Sequence, residues 1–221
     1  MSGEVGHLSV TATDKRPPLR RSVAWTKIDP PGTELAELTL EPGSLRATGV
    51  AIGVVPSPYR LDYRLDASDG LRTRRLEVES RGEGWRRRLV LTRDAASAWT
   101  VETVVEGEGD VDLPAPGCDP AVLQGAEDVD LGLSPVTNSM PVLRRGLLEG
   151  GEHDFVMAWV SVPDLAVHRD PQRYTFVRAT AGGRRLVRFL GPEQDGFTAD
   201  IAFDADGLVL DYPFIARRLA V

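Results

Sequence analysis

The sequence predicts an all-β protein, a large antiparallel sheet of many short strands that is either curved or closed into a barrel. Three observations carry this. Apolar and polar residues alternate along most of the chain, as where Tyr59, Leu61, Tyr63 and Leu65 interleave with Arg60, Asp62, Arg64 and Asp66. Period-two alternation gives a strand one dry and one wet face. Asp-Gly dipeptides at 69–70, 195–196 and 206–207 supply the positive φ that tight hairpins need. The 22 Gly and 16 Pro are spread through the chain and leave few windows for a long helix.

Residues 1–21 are polar, rich in Ser, Thr, Arg and Pro, and show no apolar period. They read as a disordered leader, ahead of a single domain over 22–221. From Val23 the pattern is β nearly throughout. Leu35, Leu38 and Leu40 begin one apolar run, and Leu45 to Val55 continues it after Pro42-Gly43. Leu76 with Val78, and Leu89 with Leu91, alternate in the same way. Only the stretch Asp119–Gly125 suits a short helical turn. Later, Phe155, Met157, Trp159 and Ser161 share a strand face, as do Tyr174 with Phe176, and Phe197, Ala199, Ile201 and Phe203. Gly150-Gly151 and Gly182-Gly183 punctuate these strands. The span Tyr59–Asp94 echoes Tyr174–Asp204 in its order of strands, glycines and arginines, as two similar halves would. Unrelated hairpin meanders give the same impression. More than ten short strands in one domain curl into a sandwich or barrel to manage their edges. A wide barrel encloses space for a ligand.

The bulk numbers exclude several function classes. With 221 residues the chain builds an adequate core without disulfides or metal. A net charge of −7 disfavours nucleic-acid binding, which needs a positive face. Cys118 is the only cysteine, so neither an internal disulfide nor a Cys-based zinc site can form. The polar N-terminus lacks the apolar stretch of a signal peptide, and no run approaches the roughly 18 apolar residues of a membrane span. The expectation is a soluble, cytoplasmic protein. Lys15 and Lys27 are the only lysines beside many Arg, a bias of GC-rich bacterial codons.

The segment Asp128–Arg145 concentrates polar groups in an otherwise apolar frame, which a site or a buried polar network requires. Asp128 and Asp130 would share one face of a strand, about 7 Å apart. Such a pair can bind a metal, act as acid and base, hold ligand hydroxyls, or lie in a surface turn. No third acid or His shares that face nearby to complete a metal set, so no metal is expected. Of Arg144 and Arg145 on a strand, at most one would face a cavity, to meet a carboxylate or phosphate or to pair with a buried acid. Asn138 is not a glycosylation acceptor, because position 140 is Met. It reads as a turn or hydrogen-bonding residue. Gln172 and Tyr174 are co-facial on a strand, and Tyr212 ends the last one; each Tyr is either ligand-facing or an amphipathic core residue. Trp25, Trp85, Trp99 and Trp159 read as core anchors, with lining of a cavity as the alternative. There is no Ser nucleophile in a Gly-x-Ser-x-Gly elbow and no Gly-rich phosphate or dinucleotide loop, so no cofactor is expected. Cys118 has no cationic neighbour to make it a thiolate.

These motifs together resemble a bacterial glycolipid-binding family. The resemblance runs through Asp128-Val129-Asp130-Leu131, Ser134-Pro135, Thr137–Pro141, Arg144, Trp159-Val160 with Pro163, Gln172–Tyr174, Gly196–Thr198, Asp206–Val209 and Asp211–Pro213. Upstream, Trp25, Glu34, Gly49 and the stretch from Tyr63 to Arg74 fit as well, so that it covers about residues 23–218. It implies a β-rich, barrel-like fold of the kind compared with periplasmic lipoprotein carriers, and binding of a glycolipid. Two positions depart: Val136 stands where the family often has an aromatic, and Val142-Leu143 spaces the Arg pair differently from Pro-Ile-Arg-Arg. The leading expectation is a binding protein for a glycolipid or similar amphiphile. Asp128, Asp130, Asn138, Arg144, Gln172, Tyr174 and Tyr212 would stand at its polar end, with Arg74 as a further candidate. The alternatives are a sugar- or lipid-processing enzyme using the Asp pair, and an interaction protein whose polar motif only braces the fold.

Overall fold

The computed structural model describes residues 17–107, 112–192 and 196–220. Its strands form one 14-stranded sheet. In chain order they are β1 (Leu19–Lys27), β2 (Gly32–Glu41), β3 (Ser44–Gly53), β4 (Tyr59–Ser68), β5 (Arg72–Gly82), β6 (Trp85–Arg93), β7 (Trp99–Gly107), β8 (Asp128–Leu131), β9 (Glu152–Val160), β10 (Val167–Ala179), β11 (Arg185–Leu190), β12 (Thr198–Phe203), β13 (Val209–Tyr212) and β14 (Ala216–Arg218). Most of the expected leader lies outside the described residues, but Leu19–Arg21 already pair with Leu38–Leu40 in β1 and β2. Strand β1 therefore begins before residue 22.

The strand order is β7-β6-β5-β4-β3-β2-β1-β14-β13-β12-β11-β10-β9-β8. Of the two forms expected, the open curved sheet is the one observed: β7 and β8 are edges that do not pair with each other. Every pairing is antiparallel except β8 with β9, which is parallel because the chain crosses from one edge of the sheet to the other between β7 and β8. The two spans that echo each other in sequence are both three-strand meanders, β4–β6 and β10–β12.

The front half, β1–β7, follows its alternation closely. Leu45, Leu61, Leu65, Leu76, Leu89 and Leu91 point inward and are all but inaccessible. Outward residues form cross-strand ion pairs such as Arg88–Glu77 at 2.6 Å and Arg86–Glu79 at 2.6 Å, each worth little in water. Two glycines here serve close approach. A Cβ on Gly49 would lie 2.2 Å from the Tyr63 ring, and one on Gly53 2.4 Å from the Tyr59 ring. Without them the two rings could not lie across β3.

The crossing segment fills the hollow of the curled sheet. Arg87, on the inner face of β6, donates to the carbonyls of Leu113, Pro114 and Asp164, which ties the segment and the β9–β10 turn to the front wall. The short helical turn is present as a 3-10 turn over Pro120–Leu123, capped by the Asp119 carboxylate on the Ala121 N–H. Trp99 donates its indole N–H to the Ala126 carbonyl at 3.0 Å. After β8 comes a helix that period-two reading missed, α1 (Ser139–Arg144). Its end was legible in Gly146, which takes φ 64 just past the last turn, while its N–H bonds the Leu143 carbonyl. Val136 and Met140 join the front core, and Val142, Leu147 and Leu148 join the back core of Phe155, Tyr174, Phe189, Phe203 and Tyr212. The segment is thus a plug between two walls.

Candidate functional site

The plug is held at one end by charge. Asp128, on β8, is fully buried. It accepts from the Thr73 N–H at 3.0 Å and lies 2.6 Å from Arg144 of α1. Arg144 also donates to the Leu71 carbonyl, sits 3.2 Å from Glu127, and places its guanidinium 5.5 Å from the Phe155 ring centre. Burial pushes the Asp128 carboxyl up, while Arg144 and the Thr73 N–H pull it down. Both charges are consumed internally. Arg144 stands on a helix and not on a strand, and its charge meets Asp128, not a cavity.

A second buried ion pair ties the plug to the front wall. Glu34 accepts from the Tyr63 hydroxyl at 2.8 Å and the Ser134 hydroxyl at 2.6 Å, and lies 3.4 Å from the ammonium of Lys27. Burial lowers the Lys27 pKa against the pull of Glu34. Sequence reading placed Glu34 in a motif but gave it no role. Its inward direction could have been read from its register, since Glu34 pairs with Ala51 and Trp25, both buried.

At the other end of β8 the plug meets open space. A cleft of about 600 Å³ lies among the turns after β1, β3, β9, β11 and β13. Pro30, Val55, Val162, Phe197 and Ile215 supply much of its apolar wall, and Trp159, Phe189 and Tyr212 add aromatic faces. Phe189, Phe197 and Tyr212 pack on one another with ring centres about 6 Å apart (5.9, 6.1 and 6.2 Å).

The polar side of this cleft is built from β8, the start of α1 and β10. Asp130 accepts from the Thr137 hydroxyl at 2.9 Å and from the Gln172 amide at 2.7 Å. The same Gln172 nitrogen donates to Asp170 at 2.7 Å, so one amide bridges two carboxylates. Asn138 sits at the N-terminus of α1 without capping it; its amide instead donates to the Tyr174 hydroxyl at 2.9 Å. That hydroxyl donates on to the Gln172 carbonyl at 3.3 Å. Burial raises the Asp130 pKa to about 6, against the pull of its bonds from Gln172 and Thr137, and nearby Asp170 and Asp128 push it up further.

The expected site residues therefore separate. Asp130, Asn138, Gln172 and Tyr212 line the cleft. Tyr174 stands behind it, fully buried, and orients Asn138 and Gln172. Asp128 and Arg144 form the brace. Arg74 lies on β5 away from the cleft, half-buried, with Asp69 3.8 Å from its guanidinium. Ser134, Trp159 and Asp170 line the cleft but were not selected from sequence. Asp170 had a signal, since it is co-facial with Gln172 two residues on. Among the described residues no group of three or more His, Cys, Asp or Glu could hold a metal ion. No helix among them is long and apolar enough to cross a membrane.

The fold recurs in a solved structure. A DUF1089 family protein from Pseudomonas aeruginosa matches over 97% of this chain and 100% of its own, with 25% identity and a TM-score of 0.64. Among curated proteins none matches. A family model described as "Putative glycolipid-binding" matches residues 22–218, nearly the whole of the sheet and all of its plug, and the chain belongs to that family.

Proposed function

We propose that the protein binds one amphiphile with a hydroxyl-bearing head, a glycolipid or a molecule of that kind, in the cleft beside β8. The observation that carries this reading is the cleft's composition, apolar and aromatic walls that converge on the Asp130–Gln172–Asn138 array. Pockets of this size and make-up hold small ligands, the walls supplying affinity and a few fixed polar groups supplying orientation. The family's description points the same way. Asp128 and Asp130 offer no acid–base division of labour. Asp128 is engaged by Arg144 and the Thr73 N–H, and it does not line the cleft.

Octyl β-glucoside, titrated calorimetrically below its micelle concentration, tests the proposal. Saturable one-to-one binding is expected, weakened at least about tenfold, or about 1.4 kcal/mol, by Phe197→Asp in the apolar wall. Absence of saturable heat, or unchanged affinity in Phe197→Asp, would sink the reading.

A further inference from the structure

Three carboxylates are deeply placed around the plug, and they are compensated differently. Glu34 has Lys27 at 3.4 Å. Asp128 has Arg144 at 2.6 Å. Asp130 has no cation among its bonded partners, which are the neutral Thr137 and Gln172. The charges acting on it are those of Asp170 and Asp128, of its own sign. It is also the only one of the three that lines the cleft. The described cleft lining contains Asp130, Asp164 and Asp170 and no Lys, Arg or His.

An ionised carboxylate away from water is costly unless a cation or several donors compensate it. The chain meets that need with an internal cation at Glu34 and at Asp128, and at Asp130 with two neutral donors only, Thr137 and Gln172, where the cleft admits a ligand. We infer that the head of the bound amphiphile carries a positive charge, an ammonium among hydroxyls as in an amino sugar, and that Asp130 is its counter-ion. This rests on the binding reading above and narrows its ligand class. The ammonium would sit beside the two carboxylates that Gln172 bridges, in a cleft whose lining also includes the aromatic rings of Trp159 and Tyr212. Asn138 and Ser134 remain for head-group hydroxyls. A phosphate, sulfate or carboxylate head would meet acids and no base, and is disfavoured.

Three probes that share chain and ring but differ in charge test this. They are octyl 2-amino-2-deoxy-β-glucoside, octyl β-glucoside and octyl β-glucuronide, titrated at pH 7 into the whole chain. Affinity is expected to fall in that order, by about tenfold per step. In Asp130→Asn the amino probe should lose about tenfold and the neutral one less than threefold. Equal affinity for the amino and neutral probes in the unaltered protein, or tight binding of the glucuronide, overturns the charge assignment and leaves amphiphile binding standing. Failure of all three to bind overturns both. The ranking in the unaltered protein decides the matter even where Asp130→Asn does not fold.

Discussion

The two walls of the sheet bury their inner faces with different materials. The front wall, β1–β7, is built on long hairpins with one register shift, at Asp66/Ala67, and its inward leucines pack around Trp25, Tyr59, Tyr63, Trp85 and Trp99. The back wall, β9–β14, has mostly shorter strands, is bulged at Phe176/Arg178 and Ala202/Phe203, and carries five inward rings, Phe155, Tyr174, Phe189, Phe203 and Tyr212, among aliphatic residues. Leucines interdigitate and leave no room. On the back wall the rings of Phe189 and Tyr212 border the cleft instead. The cleft accordingly belongs to the back wall and the plug, and the front wall reaches it only through its turns at Pro30 and Val55–Pro56.

The comparison breaks most visibly at the brace. Arg144→Ala would strand the Asp128 carboxylate in the core. It is expected to cost about 3–5 kcal/mol of stability, read by urea denaturation, whereas the pair-removing Asp128→Leu/Arg144→Met should lose far less. A loss under 1 kcal/mol for Arg144→Ala would show that the plug does not depend on this ion pair. Next comes the front wall itself. Leu76→Ala, at a site with no exposure, should cost about 2–5 kcal/mol and leave octyl β-glucoside affinity of the folded fraction within twofold. A change in affinity beyond that would mean the packed interior of the front wall, and not only its turns at Pro30 and Val55, shapes the cleft.

The smallest effect sharpens the contrast between the two aspartates. The Asp130 pKa is raised in the folded protein to about 6, above the ordinary 3.9 or so of an unfolded Asp. The folded state therefore holds the proton more tightly. Its contribution to stability is full below about pH 4 and is lost as pH rises from 4 to 6. With water reaching the cleft the loss should be about 1–2 kcal/mol. Stability measured from pH 4 to 7 should fall by that much more in the unaltered protein than in Asp130→Asn. Parallel curves for the two would remove Asp130 from the set of strained groups.

Much of the front wall was legible in the sequence, because its strands are long, dry on one side and separated by glycine turns. Tyr59 to Asp66 appears as one strand of that wall, and the dry positions are the buried ones. The plug was not, because a stretch surrounded by both walls has no wet face to impose a period. Ser139–Arg144 therefore hid its helix among apolar residues, marked only by Gly146. The candidate site was half legible. Residue types singled out Asp128, Asp130, Asn138 and Arg144, but the division of these into brace and cleft depends on partners far away in sequence, Thr73 and Leu71 on one side and Gln172 on the other. Arg74 had the chemistry of a site residue and the wrong register.

The pairing of β1 with β14 has a consequence for synthesis. Trp25 sits opposite Arg218, so β1 acquires its second neighbour only when the last strand of the sheet has been made. On the ribosome, the front hairpins can zip onto β1 from one side while its other edge stays unpaired, a template for any extended chain nearby. The strands of the back wall follow those of the front wall in the chain. A chain that stalls before residue 216 would therefore carry the cleft-lining residues but leave one edge of β1 unpaired.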